Sequence, residues 1–270
     1  MTWFSLKRTL QSELAAKIDD LYRINQGNNA LNLHTPVRYS EVLLSIGKIT
    51  KICHQNIPVK KVSCNETVTY FSAFPLSVAN TWQRPADLIA SVLLSLLKES
   101  DASSVWSHVR KTDRGCLEFV ISQQGIRQWL NHDGLTHLWV QDVPSIDSQL
   151  LWQLQAGYEL CHRWSANQPL EDLACYCPAA PDQPFIIPWS YLEGLVDGLL
   201  DICDIWDEAT STQLLHQASK LVMALDQCVG QTSHASLGTV KSIIPWVKTT
   251  RLLLKRLLID TWGYQLAEQF

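Results

Sequence analysis

Five basic side chains, Lys241, Lys248, Arg251, Lys255 and Arg256, stand in the last long stretch of the chain with no acid among them. Lys241, Lys248 and Lys255 are seven apart and therefore share one face of a helix. A stripe of this kind has three uses: to hold a polyanion by displacing its counterions, to pair with acids, or to stay solvated. A second stripe, Glu193, Asp197, Asp201, Asp204 and Glu208, runs at spacings of three and four. It reads as a solvated helix face opposite Leu195, Leu199, Ile202 and Ile205 rather than as a pair of catalytic carboxylates. His132 and His137 are five apart, where two metal ligands on one helix face need three or four, so they read as surface histidines. Cys175 and Cys177 with Cys161 and His162 form no spacing specific to a metal, and none is expected. Glycines occur singly, so neither a dinucleotide fingerprint nor a phosphate-binding loop is present. A G-x-S-x-G elbow is also absent, and the sequence calls for no cofactor.

These side chains need elements to position them. Trp3, Leu6, Leu10, Leu14, Ile18 and Leu21 recur three or four apart and predict an amphipathic N-terminal helix. Thr35 and Pro36 open a second, with Val42, Leu43, Ile46 and Ile49 on its apolar face. Residues 57–82 mix β-branched and aromatic side chains without a period, and are expected to be irregular or short strands. Arg84-Pro85-Ala86-Asp87 begins another helix through Leu88, Ile89, Val92, Leu93, Leu96 and Leu97. Two short strands, 105–110 and 116–121, flank a turn at Lys111–Gly115. Residues 141–148, around Pro144, are the expected boundary. Beyond it, 150–164, 189–206, 212–229 and 239–262 predict four helices of an antiparallel bundle. The prolines at 169, 178, 181, 184 and 188 make the first connection a surface loop. The tryptophans at 189, 206, 246 and 262 fall on apolar faces and are expected in the core rather than as platforms for bases.

The 270 residues are 46% hydrophobic and 18% charged, which predicts a folded chain of one large or two modest domains. Lys+Arg 22 against Asp+Glu 26 leaves a net charge of −4, so no overall basic field draws the chain onto phosphate or anionic lipid. A nucleic-acid partner has to be held by a local patch. No leader-like apolar run opens the sequence, and no stretch of about 18 uncharged apolar residues offers a membrane span. With eight scattered cysteines and no C-x-x-C pair, a reducing cytoplasm is expected, the thiols being buried and reduced, with no membrane or DNA as partner.

Gly115-Cys-Leu-Glu118-Phe119-Val-Ile-Ser122 resembles the G-F-I-N-F-x-L-S signature of the N-terminal additional domain of arginyl-tRNA synthetases, and Arg84-Pro-Ala-Asp-Leu-Ile-Ala90 resembles that domain's K-P-x-E-I-A helix start. Gly263-Tyr-Gln-Leu-Ala-Glu268-Gln-Phe270 resembles the G-V-x-A-P-E-x-M end of the same enzymes, after a helix like the last of their DALR anticodon-binding domain. Pro188-Trp-Ser-Tyr191-Leu192 and Leu154-Gln155-Ala156 resemble earlier helices of that bundle. The resemblance covers residues 35–130 and 148–270. It implies an α+β N-terminal domain over 1–140 and an all-α, DALR-like bundle over 148–270.

The nucleotide-binding core that such enzymes carry between these domains has no counterpart here. A βαβ-based fold needs about 100 residues or more, and only residues 131–147 join the two parts. The resemblance thus implies a non-catalytic relative that binds tRNA or tRNA-like RNA. The bases from Lys241 to Arg256 would contact phosphate, and Tyr158 would lie on the anticodon-facing helix. Two departures stand out. Glu118 replaces a polar asparagine on the surface thought to face tRNA, where a carboxylate repels phosphate. Ala156-Gly-Tyr158-Glu159-Leu160 aligns with Y-A-H-A-R and loses its basic pair. Two other readings are a protein-interaction scaffold on the same two domains, and ligase activity only with a separate catalytic partner.

Overall fold

The computed structural model describes residues 5–25, 56–63, 67–98, 105–130, 147–166, 188–232 and 235–264. The expected helix over 36–49, His132, His137, Cys175, Cys177, the 167–187 connection and most of the 141–148 boundary lie outside them. The chain divides into two compact units, one of Leu6–Ser63 with Thr67–Gly125, the other mainly Ile126–Phe270. The first is α+β and the second helical, as the sequence predicts.

In the first unit α1 (Leu6–Asn25) buries Leu6, Leu10, Leu14, Ile18 and Leu21, the set its spacing selected. Strands β1 (Val59–Ser63) and β2 (Thr69–Ser72) follow, both inside the stretch without a period. That stretch also holds a helix that the sequence reading does not predict, α2 (Phe74–Trp82). Pro75 stands in its first turn, where a missing N–H leaves no hydrogen bond unmade. Gln83, in the left-handed region at φ 53°, closes it. Nine residues are too few to display a helical period against their flanks.

Helix α3 (Ala86–Lys98) buries Ile89, Val92, Leu93 and Leu97. Strands β3 (Trp106–Lys111) and β4 (Leu117–Ile121) then form a hairpin. Its turn closes with Gly115 N–H donating to the Thr112 carbonyl at 2.9 Å. The four strands make one antiparallel sheet in the order β1-β2-β4-β3, two hairpins joined through β2 and β4. Tyr70, Phe119 and Val109 stand in register and are buried, with α1 and α3 packed against strands of the sheet. Trp106 meets Phe119 edge-on at 5.6 Å between centroids.

Helix α4 (Gln123–Leu130) carries the chain into the second unit. There α5 (Ser148–Ala166), α6 (Trp189–Ile205), α7 (Ser211–Thr232) and α8 (Leu237–Lys255) match the four predicted segments. Gly198 lies against Leu221 and Gly194 against Ala224, so α6 and α7 run antiparallel. Ser219 Oγ donates to Gln153 at 3.1 Å and Gly157 abuts Val222, so α5 and α7 run parallel. Both relations belong to an up-and-down order. The predicted last helix changes character at its end, where Arg256–Thr261 widens into a π-helix with Leu257 and Leu258 fully buried. Trp206, Trp246 and Trp262 are buried as expected, while Trp189 is half-buried.

Candidate nucleic-acid interface

The basic residues occupy the side of α8 that its apolar residues leave outside. Ile243, Ile244, Val247, Leu253 and Leu254 point into the helical unit. Lys248 and Lys255 are exposed, and Leu252 between them is 53% exposed. At 1.5 Å per residue the two ammonium groups are carried about 10 Å apart along the helix. Lys241 and Arg256 are half-buried, each engaged in interactions of its own. Arg251 turns towards α5, its guanidinium carbon 5.3 Å from the centre of the Tyr158 ring and its Nη2 donating to the Tyr158 hydroxyl at 3.4 Å. A guanidinium laid on an aromatic face keeps its charge while losing conformational freedom. Lys248, Arg251, Lys255 and Tyr158 are thus brought to one side of the α5–α8 pair. Spacing alone showed the bases but not the tyrosine.

One turn further along α5, Cys161 is fully buried. Burial pushes its thiol up from the ordinary 9.0 to about 12, the nearby Arg251 charge opposing it; burial likewise raises Cys228 to about 11. Both are neutral thiols in the folded protein through the physiological range. Ionisation of either belongs to the unfolded chain, so their contribution to stability is complete below pH 9.0 and is lost as pH rises from there towards their folded values. Iodoacetamide near neutral pH is therefore expected to label neither cysteine in the native protein and both in urea, as read by peptide mass spectrometry. Native labelling of Cys161 would contradict the burial. His162, next in sequence, is exposed, so the two diverge. Among the described residues no three His, Cys, Asp or Glu side chains are grouped to hold a metal. Nor is any described helix long and apolar enough to cross a membrane.

In the α+β unit the structure gives Glu118 a different role from the phosphate-repelling carboxylate expected of it. Glu118 is 7% exposed and stands directly across from Arg110 on β3. Arg110 grips it with both arms, Nε to Oε2 at 2.8 Å and Nη2 to Oε1 at 2.7 Å. The hydrogen bond to Glu118, then its charge, raise the Arg110 pKa further. The carboxylate is neutralised in place, and the charge this face presents outward is the guanidinium, 65% exposed. Gly115, at φ +75°, fits its turn against Ala86 and Asp87, where a Cβ would come within 3.0 Å of backbone. Lys111 meets Asp87 in an ion pair and donates to Ser91. The Gly115–Ser122 and Arg84–Ala90 stretches, distant in sequence, thus meet at the start of α3. Phe119 is fully buried and serves the core.

No known protein family, no curated protein and no solved structure matches this chain.

Proposed function

We propose that this chain is a non-catalytic RNA-binding protein that uses the α5–α8 face of its helical unit to hold tRNA or a tRNA-like RNA. In this reading the two units are relatives of the N-terminal additional domain and the DALR anticodon-binding bundle of arginyl-tRNA synthetases, working in the cytoplasm without the catalytic core. One observation carries it. Lys248 and Lys255 stand exposed on an α8 stripe free of acid from 241 to 256, beside an Arg251 fixed on Tyr158. Lysines that reach freely into solvent take phosphates as point charges. The stacked pair adds a planar, cationic surface suited to an unstacked base. The Arg110–Glu118 pair also removes the charge objection raised by Glu118.

A filter-binding titration against bulk tRNA tests this. Changing Lys248 and Lys255 together to Ala is expected to weaken binding and to lower the slope of log K against log salt by about 1.5, at roughly 0.7–0.9 for each phosphate that is no longer neutralised. Tyr158→Ala is expected to weaken binding to single-stranded RNA. Affinity unchanged in both variants sinks the proposal. A protein-interaction role is favoured by a different surface, an apolar groove between α5 and α7.

A further inference from the structure

We draw no further inference here: the strongest candidate, the apolar groove between α5 and α7 lined by the exposed side chains of Trp152 and Met223, carries nothing because nothing in the structure shows what covers it.

Discussion

Replacing Gly125 with alanine is expected to destabilise the α+β unit by about 3 kcal/mol, the upper end of what overpacking costs. A Cβ at this position would run into the main chain of Val105, touching its carbonyl oxygen and lying 2.8 Å from both its carbonyl carbon and its Cα. Side chains can swing away from such a contact, but here the obstacle is backbone, and it is fixed. The Val105 carbonyl accepts from Ser122 N at 2.8 Å and from Ser122 Oγ at 3.2 Å. Ser122 Oγ also accepts from Gly125 N at 2.8 Å. The first turn of α4 is thereby tied to the residue from which β3 departs. Any shift that relieves the collision breaks those bonds and pulls at the Trp106–Phe119 contact next to them. Small domains hold about 5–15 kcal/mol in all, so the loss is a large share. Urea unfolding measures it, and an unchanged midpoint with an unchanged slope would refute the close approach. Gly230→Ala is the control: nothing lies within 4 Å of a Cβ there, near the end of α7. The same change is expected to stabilise by roughly 0.5–1 kcal/mol by restricting the unfolded chain.

Gly125 illustrates what a single sequence displays and what it withholds. The helices were legible where apolar residues recur over several turns, as at Leu6, Leu10, Leu14 and Ile18, because burial on one face forces that spacing. The β3–β4 hairpin was legible from Gly115, since its turn demands a residue that tolerates positive φ. Helix α2 was not, being short and opened by Pro75. Pairing of β2 with β4 was not either: Phe71 opposes Glu118 across two intervening helices and a strand, and alternation within a strand says nothing about its neighbour. The same limit applied to the site. Acid-free spacing along α8 displayed the bases, but Arg251 and Tyr158 are 93 residues apart and only folding joins them. Glu118 looked like an exposed charge because its partner Arg110 is identified by the hairpin register alone. That Trp152 and Met223 stand exposed was not legible either, since a sequence displays hydrophobicity and not which apolar residues the fold leaves outside.

Trp246→Ala is expected to have an effect as large on the helical unit, about 3–5 kcal/mol, the usual range for removing a fully buried tryptophan. Trp246 is fully buried and packs against Trp129 of α4, ring centres 6.3 Å apart at 39°. Ile243, Val247 and Leu253 on the same helix are fully buried too, so the truncation leaves a cavity inside the core. Trp246→Phe separates two contributions. Phenylalanine retains the ring contact with Trp129 and removes the indole N–H, which is buried with no acceptor among the described residues. An unmet buried donor costs about 1–3 kcal/mol, and its removal offsets part of the missing volume. The phenylalanine variant is therefore expected to lose well under half of what the alanine variant loses. If the two lose the same, the N–H has an acceptor and the packing around it differs from this account. A residue with no exposed surface cannot stack on a base, so Trp246→Phe is also expected to leave tRNA affinity unchanged. Weaker affinity in a Trp246→Phe variant of native stability would move the RNA surface from the α5–α8 face, where Lys248 and Lys255 stand, to the α4–α8 contact.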